Sequence, residues 1–511
     1  MERAPAAPTD RLPAVAASLR AAARQAGTPC YVTDVAALDA AADALAAAFP
    51  DPWLRAYSLK ANDSPPIVAR LAARGLAANV VSRGEWSLAA RAGLANGAIT
   101  LEGIGKTDAD LRAAVHAAAA GRPLRWVALE SADEAAALAG VVERERRRAG
   151  RSGERRVDDP LRVDVLLRVN PGVEPETHAG LATGAASSKF GLTPDEVSGV
   201  IAAGGGPDGP LCWRGLHLHV GSQLGAVDAW RDGVRRLLAL FALLRGGLPD
   251  FDTVDLGGGF PSGPPGLPLP GPERFAAELP ALLAAIPADR RPGRLAIEPG
   301  RFLVAQAGWL VARVLHVRER AGPAPEPPPA EQSGPLGLAV VPPGARATDN
   351  VSRLVVIDAG MTELIRPALY GAEHEVAALT SLGRPLTYEG PLRPGQPSAS
   401  WRAAIAARHE DEALRGRGAT VTAHAGLAGP IGREVRATRV DGPICESTDT
   451  LGEHVLPRLR RGDLVAIRGA GAYAASMSSR YNGRPRPAEV LMEPDGTLTL
   501  ARRRASLRSL G

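Results

Sequence analysis

Lysine is almost missing from this chain. Of its 60 basic residues only Lys60, Lys106 and Lys189 are lysines; the other 57 are arginine. Arginine cannot shed its proton at accessible pH, whereas an amine can be desolvated, deprotonated and used as a nucleophile. A chain with this bias is expected to keep lysine mainly where a guanidinium cannot do the job. Cysteine is nearly as scarce. Cys30, Cys212 and Cys445 form neither a metal-binding spacing nor a disulfide framework, which fits a reducing, cytoplasmic setting. No run of 18 or more apolar residues occurs and no hydrophobic signal core follows Met1, so neither a membrane span nor export is expected. The net charge of +5 is small for 511 residues, and no basic stripe is interleaved with aromatics, so nucleic acid is not an expected partner. The densest charged run, Glu143–Arg156, alternates acid with base and reads as a solvated loop.

What is present is a long alternation of short apolar runs and alanine-rich helical segments. A chain of 511 residues exceeds one compact core and implies two domains plus insertions. The first two dozen residues read as a frayed lead-in helix, Thr28–Thr33 as a strand and Val35–Phe49 as a helix. Extended runs follow at Trp53–Leu59, Ala77–Val81, Ala98–Leu101, Leu124–Leu129, Arg162–Val169, Arg214–Val220, Thr253–Leu256 and Arg294–Ile297. Helical segments such as Pro65–Arg74, Asp108–Ala119 and Ala226–Leu244 separate most of them. Eight strands alternating with helices over about 250 residues predict a (β/α)8 barrel, with a doubly wound sheet as the alternative. After Arg301 the texture becomes strand-like, at Arg353–Asp358, Val435–Val440, Leu464–Ile467, Glu489–Met492 and Thr497–Leu500. The expected organisation is an N-terminal segment (1–34) lending a strand to the β domain, a barrel (35–310) and a mostly-β C-terminal domain (311–511). Insertions are expected near 143–160, 319–350 and 384–430, the last with a short helix near Trp401–Leu414.

The unusual residues fall at the C-terminal ends of the candidate barrel strands, the face on which such barrels build their sites. Lys60 follows the first, within Tyr57-Ser-Leu-Lys-Ala-Asn62. On that stretch alone a reactive lysine and an ordinary surface lysine both remain open. His217 and His219, with Gly221, Ser222 and Gln223, end the sixth strand; Gly257-Gly258-Gly259 ends the seventh; Glu298-Pro-Gly300-Arg301 ends the eighth. Consecutive glycines let backbone N–H groups approach an anion. The triplet is not a dinucleotide fingerprint, because Ser262 stands where the third glycine would be. His217 and His219 share one face of a strand and could hold a metal together, but no third ligand stands at a telling spacing, so metal is the weaker reading. A phosphorylated aldehyde cofactor accounts for all four clusters: lysine for the imine, glycines and arginine for the phosphate, imidazole over the ring, carboxylate at the ring nitrogen.

Tyr57-x-x-Lys60-Ala-Asn, Ser188-Lys-Phe-Gly191, His217-x-His219-Val-Gly-Ser222-Gln, Asp255-Leu-Gly-Gly-Gly259 and Glu298-Pro-Gly-Arg301 resemble the barrel of the alanine-racemase-fold decarboxylases that use pyridoxal 5'-phosphate (PLP). Arg366-Pro-Ala-Leu-Tyr370, Gly442-Pro-Ile-Cys445-Glu446-Ser and Gly471-Ala-Tyr473 resemble their C-terminal domain, so the likeness runs over residues 28–492. Within that family the diaminopimelate decarboxylases are the nearest in motif. The resemblance implies a PLP-binding (β/α)8 barrel plus a mostly-β domain, and conversion of meso-2,6-diaminopimelate to L-lysine and carbon dioxide. It implies Lys60 as the Schiff-base lysine, His219 stacked on the ring, and Glu298 at the ring nitrogen. Ser222, Gly257, Gly258, Gly259, Gly300, Arg301 and Tyr473 would surround the phosphate or substrate. Arg301, Arg366, Tyr370, Glu446 and Tyr473 would contact substrate. Cys445 would protonate Cα after carbon dioxide leaves, and Cys445 and Glu446 would enter the site of a second subunit in a homodimer.

Two departures stand out. Asn79 occupies a position where the family usually has aspartate, and Ala359 one where glycine is frequent. Together with the long insertions they keep other substrates open: ornithine, carboxynorspermidine, a secondary-metabolism amino acid, or racemisation on the same fold.

Overall fold

The computed structural model describes residues 11–152, 161–174, 177, 183–184, 188–248, 250–263, 269–321, 351–388 and 435–506. The chain divides into two compact units. One comprises Asp39–Ser262 and Leu269–Val304; the other comprises Met1–Leu38, Gly263–Pro268 and Ala305–Gly511.

The first unit is a closed barrel of eight parallel strands. In chain order, and numbered after β1 (Cys30–Asp34) of the other unit, they are β2 (Leu54–Ser58), β3 (Ala77–Val80), β4 (Ile99–Leu101), β5 (Trp126–Leu129), β6 (Val163–Arg168), β7 (Leu211–His217), β8 (Thr253–Asp255) and β9 (Arg294–Ile297). β9 pairs back onto β2, Leu54 against Ala296 and Arg55 against Ile297, which closes the ring. The strands are short and apolar because a parallel barrel strand is covered on both faces, so periodicity alone marks them weakly and length marks them well. Trp126, Leu166 and Ala296 pack together with Leu54 inside it. Numbered from the N-terminal helix α1 (Leu12–Ala26), the helices between strands include α2 (Val35–Ala48), α3 (Pro65–Ala73), α4 (Arg83–Arg91), α5 (Asp108–Ala119), α6 (Ala132–Ser152), α7 (Val197–Ala203) and α8 (Asp228–Leu244). Ser82 caps α4 by accepting from Glu85 N, and Thr107 forms a capping box with Asp110 at the start of α5.

The expected solvated loop at Glu143–Arg156 is corrected: through Ser152 it is the end of α6. Alternating charges suit a helix surface, where Glu143 meets Arg146 at 2.8 Å and Arg147 at 3.9 Å, and Glu145 meets Arg148 at 3.9 Å.

The second unit is built on a sheet running β16–β15–β11–β10–β1–β18–β19, with β17 pairing both β10 and β12. Beyond β1 these are β10 (Gly308–Ala321), β11 (Val351–Ile357), β12 (Val376–Ala378), β15 (Val435–Asp441), β16 (Thr450–Pro457), β17 (Leu464–Arg468), β18 (Ala488–Met492) and β19 (Leu498–Arg502); a small hairpin supplies β13 (Thr380–Ser381) and β14 (Arg384–Pro385). β1 is paired on both sides, antiparallel to β10 and parallel to β18. From Leu12 the lead-in segment is not frayed: α1 buries Leu12, Val15, Ala16, Leu19, Ala22 and Ala23 against Val32, Trp309, Val311 and Val490, while residues 1–10 lie outside the described residues. An i, i+3, i+4 stripe fixes that face. The insertion expected from residue 319 also starts later, since Glu319 and Ala321 still pair with Arg353 and Val351. Residues 322–350 and 389–434, and with them the helix expected near Trp401–Leu414, lie outside the described residues. Among the described residues no helix is long and apolar enough to cross a membrane.

Candidate active site

Lys60 sits on the one-turn 3-10 segment Leu59–Ala61 directly after β2. Buried Tyr57 donates its hydroxyl to the Asn62 carbonyl at 2.8 Å, and Ser64 N donates to Asn62 Oδ1 at 3.1 Å. The aromatic and the amide therefore brace both sides of the turn that carries the amine. Of the other lysines, Lys106 is fully enclosed and paired with Glu134 at 3.0 Å, and the Lys189 ammonium lies 5.2 Å from the Phe190 ring centroid. Scarcity of lysine thus marks a structural position, Lys106, as well as the strand-end candidate Lys60.

His217 closes β7 and His219 lies two residues beyond. Gly258 N donates to His219 Nδ1 at 3.2 Å, which places the neutral ring's proton on Nε2. Burial first, then the Lys60 charge, push this imidazole well below its ordinary range, so it presents a neutral flat ring.

The glycine triplet is demanded by close backbone approach. A Cβ at Gly257 (φ 65°) would lie 2.2 Å from the Leu218 carbonyl, one at Gly258 2.3 Å from the Glu298 carbonyl, and one at Gly259 (φ 101°) 2.5 Å from the Gly221 carbonyl. Arg301, which opens the short helix Arg301–Val304, donates from Nη2 to Ser222 Oγ at 3.1 Å. Gly300 leaves room over Ser58 and Ala61, whose Cβ atoms are 3.2 and 3.3 Å from where its own would be. Ser222, the triplet, Gly300 and Arg301 thus make a side-chain-poor, cation-lined cradle of the kind a phosphate needs.

Beneath it lies a buried polar cluster. Glu102, His217 and Glu298 are 3%, 1% and 4% exposed. Asn79 Nδ2 donates to Glu298 Oε1. His217 Nδ1 is 3.2 Å from Glu102 Oε2, and its Nε2 is 3.5 Å from Glu298 Oε1. Trp126 Nε1 donates to Glu102 Oε1 at 3.3 Å. Burial, reinforced by Glu298, pushes the Glu102 carboxyl up to about 8, and burial pulls His217 down to about 4. Asp255, whose Oδ1 accepts from Gly257 N at 2.9 Å, is likewise raised by burial and then by Glu298 and Glu102. His217 and His219 therefore do not form the shared-face pair that the weaker metal reading required. His219 faces the glycines, whereas His217 lies between two carboxylates, one of them the unforeseen Glu102. Ligand atoms of Glu102, His217 and Glu298 converge within 4.8 Å of one another. No spacing in the sequence signals this, because the three residues come from three strand ends.

A further clasp ties the Ser188–Gly191 motif to the barrel rim. Glu130 accepts from Arg168 Nη1 at 3.1 Å and from Gly191 N at 3.0 Å, and the Arg168 guanidinium lies 4.9 Å from the Phe190 ring centroid.

The remaining candidates belong to the β unit. Arg366 opens the helix Arg366–Tyr370 and approaches His374 Nε2 at 3.4 Å, while His374 Nδ1 meets the Arg468 carbonyl at 2.9 Å. Cys445 is exposed, and Tyr481 donates its hydroxyl to Glu446 Oε1 at 2.6 Å, which raises that phenol. Asp449, missed in the sequence, pins their loop by accepting from Ile444 N at 2.7 Å and Met361 N at 2.6 Å. Tyr473 holds a positive φ of 56°, a conformation non-glycine residues adopt rarely and mostly where the surroundings require it. Cys30 and Cys212 are buried thiols pushed up to about 12, as core residues should be.

The family model described as "Pyridoxal-dependent decarboxylase, pyridoxal binding domain" matches residues 35–305, and that described as "Pyridoxal-dependent decarboxylase, C-terminal sheet domain" matches residues 398–471. The chain is 33% identical to the diaminopimelate decarboxylase of Deinococcus radiodurans, over 93% of this chain and 92% of that one. It is 29% identical to that of Aquifex aeolicus, over 95% and 91%. The Helicobacter pylori diaminopimelate decarboxylase crystallised with L-lysine shares the fold at a TM-score of 0.70 and 24% identity, over 94% of this chain and 95% of that one. A lysine on the strand-end turn, a glycine-built phosphate cradle and a carboxylate held between an amide and an imidazole also fit PLP on the geometry alone. This chain belongs to the PLP-dependent decarboxylases built from a pyridoxal-binding barrel and a C-terminal sheet domain.

Proposed function

We propose that this protein decarboxylates meso-2,6-diaminopimelate to L-lysine and carbon dioxide. The observation that carries the chemistry is the convergence on one barrel end of Lys60, the Gly257–Gly259 cradle with Ser222 and Arg301, and buried Glu298. The substrate reading is supported by relatives of that name aligned along almost the whole chain, and by L-lysine, the product, in the Helicobacter pylori structure. When bound, PLP supplies the electron sink that lets the Cα–carboxylate bond break.

The chain's own residues do the rest. Lys60 would hold PLP covalently and release it to the substrate's amine. Neutral His219, accepting from Gly258 N, covers the ring without adding a charge that would oppose the ring nitrogen's proton. Glu298 holds that proton. Ser222, Gly257–Gly259, Gly300, Arg301 and Tyr473 bind phosphate or substrate. Arg366 offers a fixed fork to the distal carboxylate, with Tyr370 beside it on the same helix and Arg301 a further substrate contact, and Glu446 takes the distal ammonium. Cys445 returns a proton to Cα. Exposure of Cys445 and Glu446 supports a homodimer in which they complete the partner's site, and three free cysteines support a cytoplasmic setting.

The experiment is a substrate panel of meso-diaminopimelate, lysine and ornithine with PLP, with products identified, followed by borohydride reduction and peptide mass spectrometry. The expected outcome is L-lysine and carbon dioxide from diaminopimelate and the reduced adduct on Lys60. Carbon dioxide only from ornithine or lysine would overturn the substrate; an adduct on Lys106 or Lys189 would overturn the site.

A further inference from the structure

His217 poses a problem that the decarboxylation chemistry does not by itself explain. Its side chain is 1% exposed, and neither ring nitrogen meets a hydrogen-bond partner of acceptable geometry among the described residues. Both nevertheless point at carboxylate oxygens, Nδ1 at Glu102 Oε2 (3.2 Å) and Nε2 at Glu298 Oε1 (3.5 Å). A buried donor or acceptor left unmade is costly, so a small ring rotation should close both contacts. The open question is which way the protons run.

Glu102 also lies within hydrogen-bond reach of the Glu298 carboxylate, so its proton has two acceptors to choose between, Glu298 and His217 Nδ1; the surrounding donors favour the second. Glu102 Oε1 accepts from Trp126 Nε1, so that oxygen plays the part of a carbonyl. Glu298 Oε1 already accepts from Asn79 Nδ2. Three carboxyl groups, Glu102, Asp255 and Glu298, share one water-poor pocket, and like charges at this range cannot all ionise. Arg168 and Lys60 are the cations whose fields reach His217, and Arg168 is already engaged by Glu130. We propose that Glu102 is a neutral carboxylic acid and a positioning residue: its O–H donates to His217 Nδ1, which fixes the imidazole as the Nε2–H form that donates to Glu298. The chain then runs Trp126 to Glu102 to His217 to Glu298, with Asn79 donating from the other side. It concentrates the pocket's negative charge on Glu298, the group assigned above to the cofactor's ring nitrogen. Burial that holds the Glu102 proton and keeps His217 neutral supports this arrangement. The inference rests on the proposed role of Glu298 for its functional meaning, but the proton arrangement itself is a property of the apoprotein.

The test compares wild type with Glu102→Gln and Glu102→Leu. Glutamine can reproduce both contacts, its amide N–H towards His217 Nδ1 and its carbonyl towards Trp126; leucine can make neither. Infrared spectra of the apoprotein at neutral pH should contain the carbonyl band of one buried protonated acid that disappears in Glu102→Gln. Nitrogen-15 NMR of labelled histidine should report His217 as the Nε2–H form in wild type and Glu102→Gln. In the PLP-loaded enzyme, Glu102→Leu should lower kcat about tenfold or more with KM changed less than about twofold, and Glu102→Gln should recover most of it. A missing acid band, an Nδ1–H tautomer, or a stoichiometric metal ion that leaves with His217→Ala would overturn the proposal. If wild type fails to decarboxylate any amino acid while the apoprotein spectra appear as stated, the functional reading falls and the proton arrangement stands.

Discussion

The glycine at 258 gives a sharp test of the cradle. An alanine there would place its Cβ 2.3 Å from the Glu298 carbonyl oxygen and 3.5 Å from His219 Cε1. The second contact is ordinary; the first is not. The carbonyl would have to retreat by at least 0.7 Å, from 2.3 to the 3.0 Å that real Cβ atoms respect. It has little freedom to do so. The Glu298 amide donates to the Gly257 carbonyl at 2.8 Å, and the Pro299 carbonyl next to it accepts from Ser58 N at 3.0 Å, so the strand-end turn is held from both neighbouring strands. Forcing an extra carbon into such packing costs about 1–3 kcal/mol. That energy is divided between destabilising the apoprotein and displacing Glu298 from its place beside Asn79 and His217. If all of it falls on the site, PLP binds roughly 5- to 150-fold more weakly, at 1.36 kcal/mol per tenfold. If all of it falls on folding, the melting temperature drops by about 2–4 °C per kcal/mol for a unit of this size. Absorbance titration with PLP and thermal melts of the apoprotein measure the two shares. Gly105→Ala is the control, because its Cβ meets nothing within 4 Å. Gly258→Ala with PLP affinity within about twofold of wild type and an unchanged melt would refute the reasoning.

Three further outcomes are expected. Folded Glu102 keeps its proton up to about 8, against 4.5 for an ordinary glutamate; between those pH values the native state binds one more proton than the unfolded chain, so the group's contribution falls by about 1.36 kcal/mol per pH unit as pH rises. Chemical denaturation of apoprotein should therefore find wild type losing ground to Glu102→Gln as pH rises from 5 towards 8, and a pH-independent difference would contradict it. Asp449→Asn leaves one of two backbone donors, Met361 N or Ile444 N, without its acceptor. It should cost about 1–3 kcal/mol of stability by denaturant titration and reduce turnover through the Cys445–Glu446 loop, whereas unchanged stability would show the pinning to be unimportant. Gly199, exposed within α7 with nothing near its Cβ position, should gain about 1 kcal/mol on replacement by alanine, read as a raised melting temperature with unchanged activity.

The barrel was readable because its strands are short apolar runs bounded by turn residues, and all eight fall within a few positions of where those runs lie. The β unit was less so. β16, Thr-Leu-Gly-Glu-His-Val-Leu-Pro, carries a glycine at φ 86° and polar residues over half-buried positions, so neither alternation nor an apolar run marks it. The charged end of β10 resembles the start of a loop, yet cross-strand pairing with β11 carries it to Ala321. The stripe of α1 is half alanine, so its spacing marks a face while the sheet it covers supplies the larger partners that make it dock. In the site, residues with rare chemistry at strand ends could be named in advance. Glu102 could not, since Thr-Leu-Glu-Gly looks like a surface turn and nothing local announces that its carboxyl is buried.

The same strands show why stability and chemistry need not compete in this barrel. Leu166 and Ala296 pack with Trp126 and Leu54 in an apolar plug. Two residues further along each strand direction, and so on the same face, stand Arg168 and Glu298. The neighbouring strand ends carry His217 and Asp255, in register with one another and, through His217, with Arg168. One step of the strand period therefore separates Leu166 and Ala296 from Arg168 and Glu298, while Asp255 stands in register with Ala296 on the adjacent strand. Charged groups held in such a place cost stability unless each finds a partner. Arg168 finds Glu130, Asp255 finds the Gly257 amide, and Glu298 finds Asn79. Asn79 is informative here: an aspartate in its place would add a fourth carboxyl to Glu102, Asp255 and Glu298 and oppose the charge on Glu298, whereas the amide donates to it. Asn79→Asp should therefore weaken PLP binding and leave the apolar plug intact, so that PLP affinity falls while the apoprotein's far-ultraviolet circular dichroism is unchanged; tighter PLP binding would show that Glu298 is not the group holding the charge.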